Sequence, residues 1–355
     1  MPRVAIVVKY FPPYPRISGI VGYLSVLARR LAASGIDVHV VTAAEHAGDA
    51  AIIRWDGCVV HRVTGPFPLR AGRELRRIRP DATIVVNGIY ELARAAVYWG
   101  AFDAASLGAG GRRWFFQATN VEGPPPRALR AVLRRYDGVL AASDKIQSQF
   151  AGAVGNVAPL LPAVDCEQLA AVTREPSTAR TRVGFVNHVN RVKGADLALA
   201  AMDRLAGESG EVDFVVAGTG ELLAELRANH SSERIEWRGF LEERERLALI
   251  ASCDVMLLPF RTDVSVLGVS QTVLEVQALG NIVVGTATAA ITPAITDGVD
   301  GLLVAGESAD ALVAATRSVL DDAARRAAIG AAARERIGRE FAIDDRVAQL
   351  RALFA

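Results

Sequence analysis

Short runs of β-branched and aliphatic residues alternate along the chain with longer stretches of helical periodicity. The first run, residues 4–9, precedes an amphipathic stretch over 22–34 that Gly35 ends. Runs at 38–42 and 58–63 read as further strands. Residues 71–79 read as a helix, and Pro80 forces a turn before the apolar run 81–86. Two more short strands are predicted at 114–117 and 138–142, with Ser143 as the cap of the helix that follows.

A polar segment over 172–180 then interrupts the pattern. Alternation resumes with strands at 182–186, 212–217, 235–238, 255–258, 282–285 and 302–304. From 308 to 355 the chain is helical by pattern, with Ser308 a cap. Strands separated by helices imply crossover connections and parallel sheets. At 355 residues the chain exceeds one ordinary core. The expectation is therefore two parallel α/β domains, 1–170 and 171–337, the last helix (about 338–355) being a candidate to pack back on the first.

Composition narrows the picture. Half the residues are hydrophobic (51%) and few are aromatic (6%), as buried parallel strands require. A net charge of +1 implies no strongly charged partner, and nucleic acid is not expected. Arg70, Arg73, Arg76, Arg77 and Arg79 form a basic run without interleaved aromatics. It reads as a solvated helix face, with peripheral membrane contact as the alternative. Cys58, Cys166 and Cys253 are scattered, which suits free thiols in a reducing compartment. The five histidines show neither metal spacing nor a Ser–His–Asp pattern, and there is no Walker A motif, so no metal or cofactor is expected. With no run approaching the roughly 20 apolar residues of a membrane span, and an N-terminal run too short for a signal peptide, the expected location is cytoplasmic.

Lysine occurs only at positions 9, 145 and 193, and the last of these falls between a predicted strand and a helix. Arg191 and Lys193 would flank a helix N-terminus, where the dipole and free N–H groups favour an anion. Asn187 opens that loop. Further along, Gly268, Val269, Ser270, Gln271 and Thr272 could bring backbone N–H groups against a pyrophosphate. Glu275, in the helix that follows, could accept from ribose hydroxyls or be an ordinary helix carboxylate. Gly218 and Gly220 mark another strand end, and Phe240 with Leu241 offers an apolar face for a base. In the first half, Gly19 allows either a close approach or a simple turn, and Gln117, Thr119 and Asn120 either face a ligand or cap a loop. Together these signals read as a nucleotide-sugar site.

The ordered set resembles the retaining family 4 glycosyltransferases of the GT-B fold, known as glycosyl transferases group 1. Its members here are Ser18-Gly19, Arg79-Pro80-Asp81, the run from Tyr136 to Ser143, Pro162-Ala163-Val164-Asp165, Lys193-Gly194, Gly218-x-Gly220, Gly239-Phe240, the run from Asp254 to Pro259, Leu274-Glu275, and the run from Asp297 to Val304. The resemblance implies two Rossmann-like domains facing a cleft, the donor held mainly by the second and the acceptor by the first. It implies metal-free transfer of a sugar, with retention, from a nucleoside-diphosphate donor to a saccharide, lipid-linked or natural-product hydroxyl. Lys193 and Arg191 would neutralise the leaving diphosphate and Glu275 would hold the ribose.

There are departures. The acidic residue usual eight positions before Glu275 is Leu267, for which Asp263 could substitute. The usual arginine is His188, the first-domain histidine is Gln117, and the double glycine is Ser18-Gly19. A nucleotide-sugar epimerase and a non-catalytic binder stand as alternative readings.

Overall fold

The computed structural model describes residues 1–13, 19–46, 48–89, 91–175, 180–208, 212–230, 232–261 and 268–354. Ser18, Asp263 and Leu267 lie outside these. The chain divides into two compact units, one of residues 1–163, 266–268 and 343–355, the other of 164–265 and 269–342.

The first unit is built on β1 (Arg3–Val7), β2 (Asp37–Ala43), β3 (Ile52–Trp55), β4 (Cys58–Val63), β5 (Ala82–Asn87), β6 (Arg112–Gln117), β7 (Gly138–Ala141) and β8 (Val157–Pro159). Its sheet order is β3-β4-β2-β1-β5-β6-β7-β8, parallel except for the β3–β4 hairpin. The hairpin turns at Asp56-Gly57, both with positive φ (43° and 81°), the conformation a tight two-residue turn demands. Its helices are α1 (Gly19–Ala33), α2 (Phe67–Ile78), α3 (Leu92–Ala105), α4 (Arg127–Leu133) and α5 (Asp144–Phe150). Helix α2 starts earlier than its periodicity suggested, because Pro66 and Pro68 suit a first turn that has no N–H to lose. It stops at Arg79, which takes a left-handed conformation. Ser143 caps α5 as expected, its Oγ accepting from the Ile146 N–H at 3.3 Å.

The second unit carries β9 (Thr181–Val186), β10 (Val212–Ala217), β11 (Ile235–Gly239), β12 (Val255–Leu258), β13 (Ile282–Thr286) and β14 (Leu302–Val304). The order is β11-β10-β9-β12-β13-β14, all parallel. Its helices are α6 (Cys166–Ala170), α7 (Ala195–Glu208), α8 (Leu223–Asn229), α9 (Glu243–Ser252), α10 (Gln271–Ala278), α11 (Ala309–Leu320) and α12 (Ala323–Glu340). Strand alternation feeds two cores. Met256 and Leu258 enter one and Val255 and Leu257 the other, all fully buried. A sheet covered on both faces needs such unbroken apolar strands, each buried aliphatic side chain contributing about 1.5–3 kcal/mol.

The last helix, α13 (Ile343–Phe354), belongs to the first unit. Ile343, Val347 and Leu350 are buried in that unit's core. Arg30 pairs with Asp344 at 2.6 Å, and Arg351 donates to the Ser34 carbonyl at 2.7 Å. No helix among the described residues is long and apolar enough to cross a membrane.

Candidate functional site

In an open parallel sheet the strand order reverses at one point, and the crevice outside the carboxyl ends there is where ligands bind. In the second unit that point lies between β9 and β12. The chain leaves β9 through Asn187 and the loop to Lys193, and leaves β12 through Pro259, Phe260 and Arg261. The two loops are bonded to each other, the Arg261 N–H donating to the Val192 carbonyl at 3.0 Å. Gly194 closes the join. Its φ is +68°, and a Cβ there would sit 1.9 Å from the Pro259 carbonyl oxygen, so only glycine lets the backbones meet.

This join seats Lys193. Its ammonium lies over the Phe260 ring, 4.3 Å from the centroid. Burial holds the amine below the usual lysine range. No carboxylate among the described residues pairs with it. Nearby, Arg261 is already committed to Asp196 at 2.6 Å and Glu307 at 3.4 Å. Arg191 is exposed. Asn187 turns its Oδ1 back to the His188 N–H at 2.9 Å, while its Nδ2 is buried with no hydrogen-bond partner.

Helix α10 begins at the same edge of the sheet. Ser270, its N-cap residue, makes no capping bond with its hydroxyl. The Ser270 N–H itself donates to Ala290 at 2.8 Å, tying the helix start to the loop after β13. Val269 is buried, and Gln271 and Thr272 are half-buried. Gly268 groups with the first unit, where a Cβ would lie 2.6 Å from that of Ser143.

Glu275 points to a residue that sequence reasoning missed. Both its carboxylate oxygens accept from Arg246 of α9, at 2.6 and 3.0 Å. Burial works against the Arg246 charge, but the Glu275 carboxylate outweighs it and raises the guanidinium above its ordinary range. Nothing in the spacing of the two residues announces the pair, which arises from α9 packing beside α10.

Other predicted positions are occupied by the protein's own atoms. A Cβ on Gly218 would fall 1.8 Å from the Asn187 carbonyl oxygen, and one on Gly220 2.2 Å from that of Val189. Both glycines thus serve the contact between the loops after β9 and β10, which the Val189 N–H to Thr219 carbonyl bond (2.9 Å) completes. The Asp297-Gly298-x-x-Gly301 run is a turn, closed by the Gly298 N–H donating to Gly301 at 2.8 Å. Phe240 is exposed beyond β11 and Leu241 half-buried.

In the first unit, Gly19 begins α1. Gln117 and Thr119 do not open onto solvent; both are fully buried. The Gln117 amide accepts from Asn87 at 2.8 Å and donates to the Thr119 carbonyl at 2.8 Å, tying the carboxyl ends of β5 and β6 together. Asn120 accepts from the Ser143 hydroxyl at 2.9 Å. A surface cavity of about 490 Å³ lies at the amino end of β7, beside Arg130 and Arg134.

Two Rossmann-like sheets, the second with a cationic site at its switch point, define the GT-B architecture. The solved sucrose-phosphate synthase of Thermosynechococcus elongatus superposes with a TM-score of 0.80 at 15% identity, covering 100% of this chain and 98% of that one. Residues 180–322, almost all of them in the second unit, match the family described as glycosyl transferases group 1. A GDP-mannose-dependent monoacylated α-(1-6)-phosphatidylinositol monomannoside mannosyltransferase of Corynebacterium glutamicum is 29% identical over 239 residues, spanning 61% of this chain and 61% of that protein. A GDP-mannose-dependent α-(1-6)-phosphatidylinositol monomannoside mannosyltransferase of Mycobacterium tuberculosis is 28% identical over 379 residues, covering 99% of this chain and 97% of its own.

Proposed function

We propose that this protein transfers a sugar from a nucleoside-diphosphate donor to a hydroxyl acceptor, with retention of configuration and without a metal ion. The observation that carries the reading is Lys193, a partly desolvated ammonium at the switch point with no carboxylate among the described residues to neutralise it. A buried cation of that kind is stabilised by a bound anion. The pyrophosphate of a donor supplies one, and the start of α10 supplies N–H donors and a favourable dipole for it.

As the glycosidic bond breaks, positive charge develops on the sugar and negative charge on the departing diphosphate. Lys193 is fixed before the reaction, so it stabilises that negative charge without reorganising. Arg191, exposed beside it, adds a second cation. Glu275 accepts from the ribose, and Phe240 with Leu241 offers an apolar surface to the base. Attack on the same face as departure, with the leaving phosphate taking the acceptor proton, gives retention without a protein nucleophile. The relatives' names favour a nucleotide-sugar donor and an acceptor that is lipid-linked or a saccharide.

Replacing Lys193 by Ala removes the preorganised charge, and turnover is expected to fall by about two orders of magnitude. The assay is nucleoside-diphosphate release from a panel of UDP-, GDP-, ADP- and dTDP-sugars, with and without EDTA, and NMR of the product anomer. Near-normal turnover of Lys193→Ala would refute the assignment, and loss of activity on chelation would refute metal independence.

A further inference from the structure

The Arg246–Glu275 pair admits two uses, a tie between helices or a preset acceptor for ligand. Arg246 lies in the first turn of α9, which a reciprocal capping box between Glu242 and Glu245 anchors. Its two terminal nitrogens meet the two oxygens of Glu275 one-to-one, at 2.6 and 3.0 Å. Such a fork fixes the carboxylate plane, which a single contact to a flexible ammonium would not. It also uses only part of the carboxylate's capacity, because an ionised carboxyl has about four lone-pair directions. The Glu275 side chain keeps 12% of its surface exposed and that of Arg246 24%, so the pair is not sealed within the core.

We propose that Arg246 is a positioning residue that orients the free lone pairs of Glu275 toward the 2′,3′-diol of a ribonucleotide, and so sets a preference for ribose over deoxyribose donors. This rests on the nucleotide-sugar reading of the site. Two adjacent hydroxyls donating to two fixed oxygens are lost together when the sugar lacks them, leaving a desolvated carboxylate with fewer partners. A site built to receive hydroxyls rejects the analogue without them far more strongly than an apolar pocket does.

The test is calorimetric titration of the full chain with UDP, GDP and ADP, each against its 2′,3′-dideoxy form. The wild type is expected to bind the best ribonucleotide about 100-fold more tightly than its dideoxy counterpart. In Arg246→Gln this ratio is expected to fall to within about threefold of unity. Arg246→Lys, which keeps the charge but not the fork, should lie between. A folded Arg246→Gln with the wild-type ratio overturns the proposal and leaves a helix tie. Should that variant not fold, Arg246→Lys carries the test, and a wild-type ratio there overturns it equally. A wild type that binds ribo- and dideoxy forms alike refutes the diol contact while leaving the diphosphate site standing. A wild type that binds no nucleoside diphosphate refutes the underlying reading instead.

Discussion

Adding a single methyl group at Gly194 tests how the site is seated. Alanine there must adopt a φ near +68° and place its Cβ 1.9 Å from the Pro259 carbonyl oxygen. Since real Cβ contacts stay beyond 3.0 Å, the loop carrying Lys193 must retreat from β12 by about 1.1 Å. A control separates strain from displacement. Gly298 has φ +74° with nothing within 4 Å of its added Cβ, so Gly298→Ala meets the conformational penalty alone. That penalty is about 1–2 kcal/mol, partly offset by a stiffer unfolded chain. For Gly194→Ala the clash adds to it, giving about 2–4 kcal/mol in all. On the role proposed for Lys193, its displacement by about 1 Å is expected to lower kcat/KM by about 100-fold. Urea unfolding and donor-dependent nucleoside-diphosphate release measure the two effects. If Gly194→Ala matches Gly298→Ala in both stability and activity, the junction does not position Lys193.

Two further outcomes follow from buried titratable groups. His61 shares a hydrogen bond with His39 (2.8 Å) and another with Glu74 (3.1 Å), and His39 reaches Asp37 at 3.3 Å. Burial, then the charge of His39, holds the His61 imidazole below its ordinary value. The unfolded chain therefore binds the proton more readily. Stability is full above the unfolded value, near 6.5, and declines as pH falls through it, by at most about 1.4 kcal/mol per pH unit for one proton. Urea midpoints between pH 7.5 and 5 should fall accordingly, and His61→Gln should flatten the slope; an equal slope in that variant refutes the assignment. Separately, burial pushes the Cys58 and Cys253 thiols up to about 12, whereas Cys166 is half-buried. Native alkylation at pH 8 should label Cys166 alone, read by peptide mass mapping, and rapid labelling of either buried thiol would contradict the packing.

Much of the fold was legible because strands buried on both faces must be unbroken apolar runs, as at 212–217, 255–258 and 302–304, where the expected bounds match those observed. Strand β3 escaped notice since its burial is partial and its residues alternate weakly, although Asp56-Gly57 is a strong hairpin signal. At the site, Lys193 was visible because its scarcity and its place between strand and helix coincide. Gly218 and Gly220 were visible as glycines, but their reason was not: the atoms that crowd them belong to Asn187 and Val189, about thirty residues earlier. Arg246 was invisible for the same physical reason. Its partner is 29 positions away on another helix, and only tertiary packing joins them. Gln117 lay at the expected strand end, yet hydrogen bonds with Asn87 and Thr119 turn its amide inward.

Helix α13 carries a consequence for how the polypeptide matures. The first unit's core is completed by Ile343, Val347 and Leu350, which follow Ala163 only after about 180 intervening residues. At roughly 5–20 residues per second, a ribosome emits that stretch in about 10–35 s. During this interval the nascent amino-terminal sheet exists with one helical cover missing, its apolar patch beside α1 open to chaperones or to stray association. Helix α13 thus acts as a late latch, and deleting it would leave every strand in place but the lobe unfinished.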